Sequence, residues 1–131
     1  MPEILDNKNY PDNIIKIAED KKYYGRLNDS TCAAYVKGIC GDEMEYHIVI
    51  ENNIITDIKF WTTGCVASRA CGIVLTYFVI NKYLFEALAV SPVYILNELK
   101  VLPEENHHCA ILACLTFYKA IGEYLINYNN S

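Results

Sequence analysis

The sequence predicts an α+β fold: a three-stranded antiparallel sheet covered on one face by helices, in the order helix, three strands, then helices. Residues 43–60 alternate apolar and polar side chains, which is typical of strands with one face in water. From Val66 onward this alternation stops, and apolar side chains recur at helical spacing. Because 131 residues suit one compact unit, we expect residues 1–131 to form a single domain.

The first half begins with a short helix. It is predicted to start in the segment Asn9-Tyr10-Pro11-Asp12, with Asp12 or a neighbour as N-cap and Ile14, Ile15 and Ala18 on its apolar side. A first strand is predicted over residues 32–39, where Tyr35, Val36 and Ile39 favour extended structure.

The second and third strands form a predicted hairpin around the pair Asn52-Asn53. On the second strand, the side chains expected to point inward are Met44, Tyr46, Ile48 and Ile50. On the third strand, the side chains expected to share one face are Ile54, Thr56, Ile58 and Phe60.

The second half is predicted to be helical, with helices over residues 67–80, 84–89 and 92–99. Ser91 is the expected N-cap of the last of these, with Pro92 in its first turn. A final helix should run from near His108 to about Tyr124 and cover the sheet. Its predicted inward stripe is Ile111, Leu115, Tyr118, Gly122 and Leu125, flanked by Cys114, Phe117 and Ile121.

Charge and composition exclude some classes of partner. The net charge of −5 and the absence of a basic stripe argue against nucleic acid. The most apolar run, residues 70–80, is too short to span a membrane, so we expect no membrane partner. The first residues resemble neither a secretory signal nor a transit peptide, and we expect a prokaryotic cytoplasmic location.

Three widely separated cysteines carry the expected chemistry. Cys40 follows the first strand, Cys65 joins the third strand to a helix, and Cys109 lies in the first turn of the last helix. A helix N-terminus favours a thiolate over a thiol, so Cys65 and Cys109 should be good ligands and nucleophiles. Asp42 can add an oxygen ligand and His108 a nitrogen ligand. Three sulfurs with one harder, more weakly held ligand suit an iron–sulfur cluster that is meant to leave.

Other residues near this set have less specific roles. Cys32, Cys71 and Cys114 are expected to fill the core, because cysteine is a small and commonly buried residue. Arg69 follows Cys65 closely, and it is either a solvated helix charge or a cation that steadies a thiolate or an anionic cluster.

The spacing of several motifs resembles that of the IscU/NifU family of iron–sulfur cluster assembly scaffolds. The matching elements cover nearly the whole chain: Tyr10 through Gly25, Cys40-Gly41-Asp42, Phe60 through Cys65, Leu102-Pro103, and His108-Cys109. A joint match of separated motifs is far more specific than any single motif.

The resemblance implies a scaffold, not an enzyme that turns over a small substrate. Such a protein accepts sulfur from a pyridoxal-phosphate cysteine desulfurase, combines it with iron, and passes a labile [2Fe-2S] cluster to apo-protein or carrier acceptors. By this resemblance Cys40, Cys65 and Cys109 are cluster and metal ligands, and Asp42 or His108 completes the set. The resemblance also implies that Cys109 is the first persulfide acceptor.

Some alternatives remain open at this stage. A zinc-containing sulfur-transfer protein that accepts a persulfide and stimulates a desulfurase would use the same ligands, and a structural interaction module would use none of them. The sequence also leaves open whether a homodimer bridges one cluster. The Leu-Pro-Pro-Val-Lys stretch of the family reads Leu102-Pro103-Glu104-Glu105-Asn106 here, so we do not expect dependence on its specialised Hsp70-type chaperone.

Overall fold

A computed structural model describes residues 10–100 and 102–129 and confirms the predicted order of elements. The helices and strands are α1 Asp12–Ala18, β1 Cys32–Lys37, β2 Glu43–Glu51, β3 Ile54–Thr62, α2 Val66–Val79, α3 Leu84–Ala87, α4 Pro92–Glu98 and α5 His107–Asn129. A single 3₁₀ turn, Glu104–Asn106, leads directly into α5.

The three strands form one antiparallel sheet in the order β1-β2-β3. The alternation on β2 is confirmed, because Met44, Tyr46 and Ile48 are fully buried. The hairpin between β2 and β3 turns at Asn52 and Asn53, whose φ angles are 54° and 64°. Asparagine tolerates this left-handed conformation better than most residues, which explains why the pair marks the turn.

The predicted inward face of β3 is wrong at its start. Val49 pairs with Asp57 and Ile50 pairs with Ile55, so Thr56 is an extra residue at a β-bulge. A bulge reverses the alternation of side chains on the strand that carries it. Ile55 is therefore buried and Thr56 exposed, while Ile58 and Phe60 point inward as expected.

Helix α5 packs across β1 and β2, and α2 packs against β3 and α5. The inward stripe predicted for α5 is wrong, because Ile111 and Leu115 are 48% and 51% exposed. The helix instead buries Ala113, Phe117 and Ile121. A helix with apolar residues on both its exposed and its buried sides does not reveal from its sequence which side meets its neighbour.

Two predicted helix caps have different outcomes. Pro11 occupies the N-cap position of α1 and Asp12 is the first helical residue, so the side-chain cap predicted for Asp12 or a neighbour is not made. Ser91 does cap α4, since its side chain accepts a hydrogen bond from the backbone N–H of Tyr94 at 3.1 Å. Strand β1 ends at Lys37, before the predicted residue Ile39, which is fully exposed in the following turn.

The helical stretch Glu104–Asn127 is long and apolar enough, by length and composition alone, to cross a membrane, with a mean hydropathy of 1.5. Half of its most apolar window is buried inside the protein. The core helix of a globular domain has the same composition, and the packing of α5 on the sheet accounts for its apolar side chains.

Candidate metal centre

The turn between β1 and β2 carries the first two predicted ligands. The backbone N–H of Gly38 donates to the carbonyl of Asp42 at 2.7 Å, and that of Gly41 donates to the carbonyl of Gly38 at 3.0 Å. Gly41 has a φ of 91°, a conformation that residues with a Cβ rarely adopt. The turn leaves Cys40 exposed and holds Asp42 half-buried.

Cys65 is the N-cap residue of α2 and lies three residues after the end of β3. The hydroxyl of Tyr10 is 3.1 Å from its sulfur. A hydrogen bond from Cys109 lowers the pKa of Cys65 to about 5, assisted by Tyr10 and by the backbone N–H groups of Ser68 and Ala67. The lowered pKa expected at this helix start is therefore found for Cys65, although the Cys109 thiol contributes more to it than the backbone N–H groups do.

Cys109 is the third residue of α5, and its side chain is buried. Its hydrogen bond to Cys65 and its burial both raise the pKa of Cys109 above the usual range. The thiolate predicted for Cys109 is thus wrong in this state. The physical reason is that two adjacent sulfurs do not readily carry two negative charges, and the helix cap stabilises the charge on Cys65.

Three donor atoms of different elements, one of them the sulfur of Cys109, lie close together in the site. A carboxylate oxygen of Asp42, a ring nitrogen of His108 and the sulfur of Cys109 all lie within 4.8 Å of one another. Cys65 contacts this group through Cys109. Oxygen, nitrogen and sulfur donors at this separation suit a transition metal ion.

Cys40 has a different position from the other predicted ligands. Within residues 10–100 and 102–129, the compact donor group contains Asp42, His108 and Cys109 but not Cys40. Cys40 is exposed on the same turn as Asp42, two residues before it. The structure therefore joins α5, α2 and the β1–β2 turn in one site, and Cys40 lies on that turn outside the compact donor group.

Ser68 is a polar residue of the site that sequence reasoning missed. Its side chain is fully buried, and its hydroxyl oxygen lies 3.2 Å from Oδ2 of Asp42 and 3.4 Å from Sγ of Cys109. Ser68 follows Cys65 by three residues, a spacing that puts both on one side of a helix. That spacing is the signal that could have found it.

Gly64 makes room for Ser68. A Cβ atom at this position would lie 2.3 Å from the hydroxyl oxygen of Ser68 and 3.1 Å from Oδ2 of Asp42. The glycine that precedes Cys65 is therefore required by the close approach of α2 and the β1–β2 turn.

Tyr10 is a second residue of the site that sequence reasoning missed. Burial and the neighbouring Cys65 raise the pKa of Tyr10, so its hydroxyl is available to donate to the sulfur of Cys65.

Arg69 points away from the sulfurs of the site toward α1. Its guanidinium lies over the ring of Tyr24, 4.1 Å from the ring centre, and its Nε donates to the carbonyl of Ala18 at 3.4 Å. Of the two roles left open for Arg69, these contacts support neither: the side chain fastens α2 to α1.

The other three cysteines fit the predicted packing role to different degrees. Cys71 and Cys114 are buried, and Cys32 is half-buried. Burial raises the pKa of Cys71, and it raises those of Cys32 and Cys114 to about 12. These thiols therefore stay protonated at neutral pH.

Residues 9–130 match the family model described as the NifU-like N terminal domain. An iron-sulfur cluster assembly scaffold protein IscU from Haemophilus influenzae is 36% identical over 120 residues, covering 88% of this chain and 94% of that protein. A protein of the same description from Aquifex aeolicus is 32% identical, covering 95% of this chain and 74% of that protein.

Solved structures show the same fold. A putative iron-sulfur cluster assembly scaffold protein for the SUF system from Fervidobacterium islandicum superposes with a TM-score of 0.74, at 22% identity, over 85% of this chain and 95% of that one. A nitrogen-fixing NifU-like protein (N-terminal) from Brucella abortus gives a TM-score of 0.69, at 18% identity, over 90% of this chain and 95% of that one.

Proposed function

This chain belongs to the family of the NifU-like N-terminal domain, and on that premise we propose that it is a scaffold on which iron–sulfur clusters are assembled. The observation that carries the proposal is the meeting of Asp42, His108 and Cys109 beside Cys65, from three separate parts of the chain. Its role is to hold a cluster, and not to turn over a small substrate. Residues 1–131 form one domain in this proposal.

The cluster is the cargo of the protein, and the proposed ligands are Cys40, Cys65 and Cys109 with Asp42 or His108. Thiolates are the usual ligands of iron in such clusters. The exposed turn that carries Cys40 can bring its sulfur to the rim of the site after modest movement. A carboxylate or imidazole is a harder ligand than a thiolate, so the cluster is held loosely enough to be passed on.

Sulfur enters through Cys109 in this proposal. The thiol of Cys109 passes its proton to the thiolate of Cys65, with which it is hydrogen-bonded. The resulting Cys109 thiolate attacks the outer sulfur of a donor persulfide. A new S–S bond forms on Cys109, the S–S bond of the donor breaks, and the donor leaves as a thiolate.

The partners are proteins in this proposal: a cysteine desulfurase that supplies sulfur, and apo-protein or carrier acceptors that receive the [2Fe-2S] cluster. Glu104 and Glu105 are exposed in the turn before α5, where the resemblance places a chaperone-binding lysine motif. In this proposal the chain therefore does not depend on a specialised Hsp70-type chaperone. Its cytoplasmic location stays a prediction.

Anaerobic reconstitution with ferrous iron, cysteine and a pyridoxal-phosphate cysteine desulfurase tests the proposal. We expect visible sulfur-to-iron charge-transfer absorption and acid-labile sulfide in the purified product. Replacing Cys40, Cys65 and Cys109 together by alanine should abolish both signals, whereas the control Cys32→Ala should keep them. A colourless wild-type product without iron would overturn the proposal.

Zinc is the second candidate occupant, because the oxygen of Asp42, the nitrogen of His108 and the sulfur of Cys109, together with the sulfur of the hydrogen-bonded Cys65, also suit a tetrahedral zinc ion. In that function Zn²⁺ occupies the site while Cys109 receives the persulfide and the protein stimulates the desulfurase. Zinc that resists replacement by iron and sulfide, together with strong stimulation of cysteine desulfuration, would favour this function. Ready replacement of zinc by iron and sulfide would favour the scaffold function.

A further inference from the structure

The inference concerns Ser68 and rests on the proposed function. Apart from Ser68, the buried polar side chains in the described part of the chain are threonines: Thr62, Thr76 and Thr116. Each of them donates to a backbone carbonyl, which is the usual way to satisfy a buried hydroxyl. The hydroxyl of Ser68 instead faces two proposed ligands, Asp42 and Cys109.

The two contacts of Ser68 are not equivalent. A serine hydroxyl carries one proton and can donate it fully to one acceptor at a time. The carboxyl group of Asp42, at 3.2 Å, is the stronger acceptor, because oxygen is a better hydrogen-bond acceptor than sulfur. Cys109 lies at 3.4 Å, where its sulfur is a weak hydrogen-bonding partner.

The two partners also differ in how firmly the backbone holds them. Cys109 lies within α5, so the helix fixes its position. Asp42 lies on the β1–β2 turn, where its backbone carbonyl is held by Gly38 but its side chain can rotate. Among the described residues, Ser68 is the one whose side chain hydrogen-bonds to the carboxylate of Asp42. The effect of the Ser68 hydroxyl should therefore fall mainly on Asp42.

We propose that Ser68 is a positioning residue, which holds the carboxylate of Asp42 against Cys109 so that its free oxygen faces an incoming metal ion. A carboxylate has two oxygens, and one of them can accept from Ser68 while the other binds metal. Residues that orient metal ligands in this way typically change metal affinity about 10- to 100-fold when they are replaced. The closeness of Gly64 to both Ser68 and Asp42 supports this arrangement, because it lets the two side chains meet.

Titration of the reduced protein with Co²⁺ under anaerobic conditions tests this proposal without a cluster or a partner protein. Thiolate-to-cobalt absorption reports sulfur ligation, and its concentration dependence gives the dissociation constant. We expect Ser68→Ala to weaken cobalt binding by about 10-fold or more. The control Thr116→Val removes a buried hydroxyl from α5 that donates only within its own helix, and it should leave cobalt affinity unchanged.

A double-mutant cycle separates positioning from a general loss of structure. If Ser68 acts through Asp42, then adding Ser68→Ala to Asp42→Ala should change cobalt affinity by less than about twofold. Near-UV circular dichroism of each variant reports whether the native packing is kept. Weaker cobalt binding by a natively packed Ser68→Ala variant therefore isolates the loss of the hydroxyl.

Wild-type affinity in Ser68→Ala would overturn the inference, and so would an undiminished effect of Ser68→Ala in the Asp42→Ala background. These failures are distinct from failure of the proposed function. If the wild-type protein itself binds neither cobalt nor a cluster, the scaffold proposal fails with this one. If the wild-type protein binds both and Ser68→Ala matches it, only the role of Ser68 is refuted.

Discussion

Gly64→Ala should damage both the stability and the metal site of this protein. The new Cβ would lie 2.3 Å from the hydroxyl oxygen and 2.5 Å from the Cβ of Ser68. Both distances are far below van der Waals contact, and the nearest atoms belong to a buried helical residue that has no room to move away. Gly64 and the first turn of α2 must therefore move apart, and the new Cβ, 3.1 Å from Oδ2 of Asp42, also disturbs the contact between Ser68 and Asp42.

The cost can be judged from overpacking in other cores. Inserting a methyl group into a packed interior destabilises a protein by about 1–3 kcal/mol. For a chain of this length, each 1 kcal/mol lowers the melting temperature by about 4 °C. We therefore expect Gly64→Ala to lower the melting temperature by about 4–12 °C. Separation of Ser68 from Asp42 should also weaken Co²⁺ binding.

Two other glycines provide matched controls in thermal unfolding and cobalt titration. Gly122 lies in α5 with nothing within 4 Å of an added Cβ, so Gly122→Ala should stabilise the helix by about 0.5–1 kcal/mol. Gly72→Ala would place its Cβ 2.6 Å from the ring of Phe60, and it should destabilise the fold without changing the affinity for cobalt. The reasoning is refuted if Gly64→Ala melts and binds cobalt like the wild type.

Three further predictions follow from the site and its surroundings. Asp42→Ala should lengthen the lifetime of a bound cluster and slow its transfer, because a hard oxygen ligand weakens the hold on iron; absorbance decay measures this, and faster loss would mean that the carboxylate is an essential ligand. The hydrogen bond from Arg26, with a second from His47, lowers the pKa of Glu45 to about 2. The stabilisation of the fold by Glu45 is therefore complete above pH about 4.5 and is lost as the pH falls toward 2. Over this pH range, the free energy of unfolding in urea should fall less steeply for Glu45→Gln than for the wild type, and an equal fall would contradict the prediction. Zn²⁺ should slow amide hydrogen exchange near Cys109, because ligation couples to local folding; exchange unaffected by zinc would count against a site there.

Patterns among neighbouring residues in the sequence were sufficient to predict much of the fold. The alternation on β2 depends on neighbours two residues apart, and the hairpin depends on the backbone preference of the pair Asn52-Asn53. The bulge at Thr56 was not predictable in this way, because the alternation across it reads as regular. The inward face of α5 was missed for a similar reason, since both Ile111 on its exposed side and Phe117 on its buried side are apolar.

The amino-acid sequence by itself determined the order of the elements and indicated which residues are candidate sulfur, oxygen and nitrogen donors. Only the tertiary structure decided that the Cys109 thiol lowers the pKa of Cys65, that Cys65 and burial raise the pKa of Cys109, and that Ser68 lies between Asp42 and Cys109. Periodicity and backbone preference are properties of adjacent residues. Protonation and hydrogen bonding at this site depend on atoms that are remote in the chain and meet only after the helices pack on the sheet.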